Sequence, residues 1–147
     1  MVWKSNYQHK QAFSKKPPRP MSDKYLHDEL DAITSVIVRM LESVCFTVGC
    51  DKRVGLECGH LFERRHKHTR YDTTPDGNCH AQCPLHNQEH ERNPSLYEAS
   101  YIQRFGEAKF EALRARARSN QKLTYSDLLE LLEQKQQQLA ELKSKAA

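Results

Sequence analysis

The fold is decided by a stretch that begins Cys45-Phe-Thr-Val-Gly-Cys50, continues through Leu56-Glu-Cys-Gly-His60 and ends Asn78-Cys-His-Ala-Gln-Cys83-Pro-Leu-His86-Asn87-Gln-Glu-His90-Glu91. Two pairs of soft metal ligands, Cys45/Cys50 and Cys83/His86, would supply three thiolates and one imidazole to a single ion. Zn²⁺ accepts this set in tetrahedral geometry, and a closed site with four protein ligands is structural rather than catalytic. The pattern therefore predicts a structural zinc ion that holds a small hairpin together.

Ordinary buried cysteines are the alternative to a zinc site. The gap of four residues between Cys45 and Cys50 is longer than the more usual gap of two. Cys79 could replace one of the four ligands if the pairing differs. Otherwise Cys58 and Cys79 are expected to be small residues of the core.

Length and composition describe a single soluble domain with extensions. The chain has 147 residues, of which 37% are hydrophobic and 29% are charged, so its core is small and a metal is a common way to reinforce it. No apolar run approaches the roughly 18 residues of a membrane span, and no apolar signal core stands near the start. Five cysteines without an export signal favour metal binding over disulfides.

The net charge of +4 is unevenly distributed. Residues 1–20 contain no acid and carry the basic residues Lys4, Lys10, Lys15, Lys16 and Arg19. This composition, together with Lys-Lys-Pro-Pro-Arg-Pro at its end, predicts a flexible basic arm that suits a polyanionic partner. A disordered solubilising tail is the alternative interpretation.

Helical patterns stand on both sides of the metal-binding stretch. A helix is predicted in 21–44, with Ser22 as its N-cap and an apolar stripe formed by Tyr25, Leu26, Leu30, Ile33, Ile37, Val38 and Leu41. A helical region is predicted in 93–147, where Gly106 divides one pattern and Thr124 with Asp127 begins the last helix as a capping box.

Residues 45–92 show a different pattern, with short segments separated by turn residues. One strand is expected to end at His60 and a second to span 78–82, with a basic loop at 63–71 between them. Pro84 suits the first turn of a short helix that carries His86 to Glu91. The fold class is therefore α+β and mostly helical, with a zinc-stapled ββα core flanked by long helices.

His60 is the candidate for chemistry. A neutral imidazole at the end of a strand can accept a proton from a water molecule that attacks a phosphodiester. A divalent cation such as Mg²⁺ or Mn²⁺ would neutralise the developing charge, and the amide oxygen of Asn87 with a carboxylate suits that hard ion. A histidine that follows a glycine is also frequently structural, but its position between the two ligand pairs, with Asn87 directly after His86, favours the catalytic interpretation.

These residues resemble a known family, the NinG (Rap) recombination proteins of lambdoid phages, which belong to the HNH nucleases. The resemblance covers roughly residues 25–145, and its most specific part is 78–87. It is carried by Gly59-His60, Arg70-Tyr71, Asn78-x-His80-x-Gln82-Cys83, Asn87, Tyr97, Ile102-x-Arg104-x-Gly106 and Leu123-Thr124. It implies a treble-clef-like HNH core and a structure-specific endonuclease that acts on branched DNA such as D-loops and Holliday junctions.

The resemblance assigns a role to each matching residue. His60 matches the general base, Asn78 the middle asparagine that orients it, and Asn87 the metal-binding position of the last helix. Three cysteines match zinc ligands: Cys45, Cys50 and Cys83.

The chain departs from the pattern at three positions. His86 stands where the family has cysteine, and it can still bind zinc. Gly59 stands where many HNH enzymes have an acid, so Glu57 is nominated to complete the catalytic metal site. His90 stands where the family tends to have a basic residue, and it could bind that metal or a phosphate. Three further histidines are not expected to be ligands: His80 is interpreted as structural, and His66 and His68 as solvated residues or phosphate contacts.

The basic loop is the expected DNA contact, through Arg64, Arg65, Lys67 and Arg70. Lysine and arginine contacts to phosphates give affinity without reading the base sequence, which suits an enzyme that recognises DNA shape. A solvated charged loop is the alternative.

The implied task sets the remaining expectations. Resolving a symmetric junction takes two cuts, so a homodimer is expected, in the cytoplasm of a bacterial host and with recombination proteins as further partners. Two other functions stay open. One is a zinc-containing DNA-binding or interaction module that has lost catalysis, and the other is a sequence-specific HNH nuclease.

Overall fold

A computed structural model describes residues 20–147. In that part of the chain, five helices and a two-stranded sheet follow in the order α1 (Asp23–Leu41), β1 (Glu57–His60), β2 (Cys79–Gln82), α2 (Pro84–Arg92), α3 (Ser95–Phe105), α4 (Glu107–Ala117) and α5 (Tyr125–Ala146). The mostly helical α+β class predicted from the sequence is confirmed. The basic arm predicted for residues 1–20 lies outside the described residues, apart from Pro20.

Helix α1 begins as its sequence predicts and ends earlier. The Ser22 hydroxyl accepts a hydrogen bond from the Tyr25 backbone N–H at 3.1 Å. The helix stops at Leu41 rather than near Val44 because Glu42 turns out of it. The Glu42 carboxylate accepts a bond from the Ala81 N–H at 2.6 Å, and this contact ties the end of α1 to strand β2.

The two strands are antiparallel, with Glu57 opposite Gln82 and His60 opposite Cys79. Because neighbouring residues of a strand point to opposite faces, Cys58 and His60 share one face with Cys79 and Ala81. That face packs against α1 through Val38. The other face carries His80, whose ring stacks on Phe46 with centroids 3.9 Å apart.

The C-terminal helices cover the sheet and α1. Gly106 ends α3 and precedes α4 with a φ of 89°, a left-handed conformation that favours glycine, so the predicted division of this pattern is confirmed. A core of aromatic and aliphatic residues lies beneath these helices and includes Phe46, Tyr97, Tyr101, Phe110 and Leu113.

Helix α5 begins with the predicted capping box, in which Thr124 and Asp127 exchange hydrogen bonds between side chain and backbone. It packs against α1 through Leu128 and Leu132. No helix in residues 20–147 combines the length and apolar character that a membrane crossing requires.

Candidate functional site

Four predicted metal ligands converge at the start of helix α2. The ligand atoms of Cys45, Cys50, Cys83 and His86 all lie within 4.8 Å of one another. The His86 Nδ1 atom lies 3.3 Å from the Cys83 sulfur and 3.5 Å from the Cys45 sulfur. This set of three thiols and one imidazole can bind a metal such as Zn²⁺.

The local backbone explains why distant residues meet there. Cys45 donates its N–H to the Lys52 carbonyl at 2.9 Å, and Cys50 donates to the Thr47 carbonyl at 3.0 Å, so the first pair lies in a closed loop. Phe46 donates to the Ala81 carbonyl at 2.7 Å and docks that loop on strand β2. Cys83 directly follows β2 as the N-cap of α2, and Pro84 occupies the first turn as predicted.

The electrostatic environment of Cys45 favours the form that binds metals. Burial acts to raise the pKa of its thiol, but hydrogen bonds from the backbone of Cys83 and Thr47 and from the His86 ring lower that pKa to about 6. A thiolate is the metal-binding form of cysteine. A metal at this centre would therefore connect the 45–50 loop to helix α2 and fix the orientation of that helix.

A cleft of about 860 Å³ lies beside this metal centre. Strand β1 contributes Glu57, Cys58 and His60 to its lining, and helix α2 contributes Asn87 and His90. The structure therefore brings the predicted base and the predicted metal-binding residues to one cavity.

The His60 ring has a defined orientation in the cleft. Its Nε2 atom lies 3.0 Å from the Arg70 carbonyl oxygen. Because a carbonyl only accepts hydrogen bonds, Nε2 carries the proton and Nδ1 keeps its lone pair. Burial lowers the pKa of His60 to about 4, although the Arg70 carbonyl acts to raise it, so the imidazole is neutral at physiological pH.

Asn87 and Glu57 are bonded to each other across the cleft. The Asn87 Nδ2 group donates to the Glu57 carboxylate at 2.7 Å, which leaves the amide oxygen and one carboxylate oxygen for other partners.

His90 follows one turn later on the same helix. Its Nε2 group donates to the Leu61 carbonyl at 3.0 Å, and its buried Nδ1 atom has no hydrogen-bond partner within residues 20–147. The ring packs against Tyr97, with centroids 4.9 Å apart. Because Nε2 carries the ring proton, the buried Nδ1 atom keeps an unused lone pair.

Asn78 is fully buried and holds the chain that follows His60. Its Oδ1 atom accepts a bond from the Phe62 N–H at 2.7 Å, and its Nδ2 group donates to the Phe62 carbonyl at 3.0 Å. Its backbone carbonyl accepts the Leu61 N–H at 2.9 Å. Asn78 thus fixes the backbone of the two residues that directly follow His60.

Gly59 leaves no room for an acid before His60. A Cβ atom built on Gly59 would lie 2.2 Å from the Oε1 atom of Gln82. That oxygen is buried and lacks a hydrogen-bond partner in the described part of the chain. Gln82, which lies opposite Glu57 in the sheet, therefore occupies the space that a side chain at position 59 would need.

The predicted DNA contacts divide into two groups. Arg64, Arg65 and Lys67 are exposed, and the two arginines line the cleft. Arg70 instead donates through Nε and Nη2 to the two carboxylate oxygens of Asp31, at 2.9 and 2.5 Å. Its guanidinium is engaged in holding the loop against α1, and its side chain is only 16% exposed.

Sequence patterns did not identify Arg118 as part of the site. Arg118, which directly follows α4, also lines the cleft. No spacing connects it with His60, since only the packing of α4 against the loop brings the two to the same cavity.

The remaining histidines have structural contacts. His80 bonds to the Glu42 carboxylate at 2.8 Å and to the Gly77 carbonyl at 2.9 Å, which confirms its structural interpretation. His66 and His68 were expected to be solvated or to contact phosphates, and both are half-buried. Their rings bond to the carbonyls of Ala117 and Gln121 and connect the loop to the end of α4 and to the chain that follows it.

One comparison with known proteins gives a match that covers almost the whole chain. Residues 4–145 match the family described as bacteriophage lambda NinG protein. No curated protein and no solved structure matches the chain.

Proposed function

The chain belongs to the bacteriophage lambda NinG family, and from this premise we propose that it is a metal-dependent HNH endonuclease that cleaves branched DNA during phage recombination. One observation carries the proposal: His60 and the bonded pair Asn87–Glu57 line the same cleft. The order of β1, β2 and α2, with four metal ligands at the start of the helix, is what a zinc-stapled, treble-clef-like ββα core requires.

His60 would act as the general base. Its Nδ1 lone pair is free because Nε2 donates to the Arg70 carbonyl, and a neutral ring can take a proton from the attacking water. Asn78 holds the turn at Phe62 and thereby limits the movement of the strand end that carries His60.

Glu57, Asn87 and His90 fit a divalent cation such as Mg²⁺ or Mn²⁺. A carboxylate and an amide oxygen are hard ligands, and His90, which lines the same cleft, would supply its unpartnered Nδ1 atom as a third donor. The ion would neutralise the charge that develops on the phosphate and on the leaving 3′ oxygen.

The substrate would be held mainly through its phosphates. Arg64, Arg65 and Arg118 line the cleft, and Lys67 is exposed on the same loop. Such contacts supply affinity without base readout and suit recognition by shape.

A symmetric four-way junction needs two cuts, so we propose a homodimer that acts with recombination proteins in the host cytoplasm. Light scattering that shows a monomer both free and on DNA would contradict the dimer.

The test is incubation of the purified protein with a synthetic four-way junction and Mg²⁺, beside His60→Ala and a Gln88→Ala control. Gln88 is exposed on α2 and does not line the cleft. His60→Ala should lower the cleavage rate by about 100-fold or more, while Gln88→Ala should cleave as the parent does. Cleavage that is unchanged in His60→Ala would remove the proposed base. Equal cutting of linear duplex would instead indicate a nuclease without branch selectivity.

A second candidate function is a zinc-containing DNA-binding or interaction module without catalysis. Gly59 favours it, since the position before the base lacks the acid that many HNH enzymes have and Gln82 fills the space. Binding of the junction by the parent protein without cleavage, in either Mg²⁺ or Mn²⁺, would favour this module over the nuclease.

A further inference from the structure

A second cluster of metal-binding atoms lies on the α1-facing side of the sheet. The ligand atoms of Cys58, His60 and Cys79 all lie within 4.8 Å of one another. The sheet register produces this cluster, because His60 is paired directly with Cys79 and Cys58 precedes His60 by two residues on the same face. None of its members belongs to the four-ligand centre at the start of α2.

We propose that Cys58, His60 and Cys79 form a second soft-metal site that binds Zn²⁺. A set of two thiolates and one imidazole leaves the fourth tetrahedral position open, as in zinc sites that keep an exchangeable ligand. Bond lengths of 2.0 to 2.3 Å place tetrahedral ligands roughly 3.3 to 3.8 Å apart, so the three atoms need only small inward movements.

The three donors border two cavities. Cys58 and His60 line the large cleft, from which an ion can enter, while Cys79 lines a neighbouring cavity of about 600 Å³. Lys135 lies near both thiols, is only 8% exposed and donates to the Thr73 hydroxyl at 2.6 Å. The buried ammonium opposes a cation nearby, so binding depends on a soft dication that replaces the thiol protons of both cysteines.

Occupancy of this site would remove the base. A neutral imidazole has one ring lone pair, and an ion that binds this lone pair leaves none to accept a proton from water. His60 and Cys79 also share the Arg70 carbonyl, at 3.0 and 3.2 Å, so both donors would turn away from it when they bind a metal. The loss of the general base rests on the proposed nuclease function, whereas the binding of the ion does not.

The chemistry of the donors predicts which ions are bound. Thiolates and imidazole favour Zn²⁺, Co²⁺ and Cd²⁺ over the hard ions Mg²⁺ and Ca²⁺. Mg²⁺ would therefore support cleavage through the oxygen donors of Glu57 and Asn87, and Zn²⁺ would oppose it through Cys58, His60 and Cys79.

The test is the metal stoichiometry of the full chain in a reducing buffer. The protein is stripped of metal and titrated with Co²⁺, whose thiolate charge-transfer absorption reports sulfur ligands. The parent should bind about two Co²⁺ ions per chain, and Cys58→Ser should bind about one. Cys58→Ala is the second variant, and circular dichroism verifies the fold of both. A parent that binds a single ion, or Cys58 variants that bind as many ions as the parent, would overturn the proposal.

Inhibition by Zn²⁺ is measured separately, on the cleavage of a junction in Mg²⁺. The cleavage rate of each protein with zinc is compared with the rate of the same protein without zinc. Half-inhibition of Cys58→Ser should need at least about ten-fold more free Zn²⁺ than that of the parent. An equal sensitivity would show that the ion does not act through His60. If no form of the protein cleaves DNA, the proposed nuclease fails, and the stoichiometry still decides whether the site exists.

Discussion

The Asn87 side chain donates a hydrogen bond to the Glu57 carboxylate at 2.7 Å and so connects helix α2 to strand β1 in the lining of the cleft. Both groups keep an unshared oxygen on the side chain. The pair thus presents two hard donors in the same cavity as His60.

We expect Asn87→Ala and Glu57→Gln each to lower the rate of junction cleavage by about 100-fold or more, because each removes or neutralises one hard ligand. The matched control is Gln88→Ala, since Gln88 is exposed on the same helix. Mn²⁺ binding, followed by electron paramagnetic resonance, should weaken in both variants and stay unchanged in the control. Undiminished Mn²⁺ binding in Asn87→Ala would contradict its role.

The four-ligand centre should tolerate the family's cysteine at position 86 but not the loss of the ligand. His86→Ala should reduce the zinc content measured by mass spectrometry and lower the melting temperature, because an ion bound by these four residues would connect the 45–50 loop to α2. His86→Cys should retain about one zinc ion at this centre, since a thiolate is an equally suitable ligand. Zinc retention by His86→Ala would show that the other three ligands hold the ion without it.

Gly59 and Gln82 form a pair that can be tested by a double-mutant cycle. Gly59→Ala places a Cβ atom 2.2 Å from the Gln82 Oε1 atom, so it should destabilise the fold by about 1 to 3 kcal/mol. Gln82→Ala should relieve this clash, and the double variant should then be less destabilised than the sum of the two single changes. Chemical denaturation measures all four proteins, and strict additivity would contradict the close contact.

Local signals predicted much of this architecture. Ser22, Gly106 and the Thr124–Asp127 box act through hydrogen bonds and backbone angles within a few residues, and each marks the helix boundary where the sequence places it. The ligand spacing at Cys83 and His86 is likewise local, because both lie in the first turn of α2.

Contacts between distant residues could not be read from spacing. Asp31 and Arg70 are far apart in the sequence, and only the packing of the loop on α1 makes one the partner of the other. The closeness of Cys58, His60 and Cys79 follows from the strand register, which no local motif reveals. The early end of α1 depends on Glu42, which bonds to strand β2.

The basic loop should show two different responses to alanine substitution. Arg64 has a side chain that is 64% exposed, so Arg64→Ala should weaken junction binding with little change in the stability of the fold. The salt dependence of the binding constant should fall by about one released counterion. Arg70→Ala leaves the Asp31 carboxylate half-buried without its bidentate partner, and it should lower stability by about 1 to 3 kcal/mol. Filter binding measures the loss of DNA affinity, and thermal unfolding measures the loss of stability. A stability loss in Arg64→Ala that equals that of Arg70→Ala would contradict this division.

His60 should titrate far below an ordinary histidine, because burial lowers its pKa to about 4. As the pH falls below about 6.5, the unfolded chain takes up a proton at His60 before the folded chain does. The contribution of neutral His60 to the free energy of unfolding is therefore complete above that pH. It is lost towards pH 4, at about 1.4 kcal/mol per pH unit. His60→Gln should lack this dependence, and the difference between the two metal-free proteins cancels the titration of the four ligands at the start of α2, which they share. An imidazole resonance that titrates near pH 6.5 in nuclear magnetic resonance would contradict the burial of this ring.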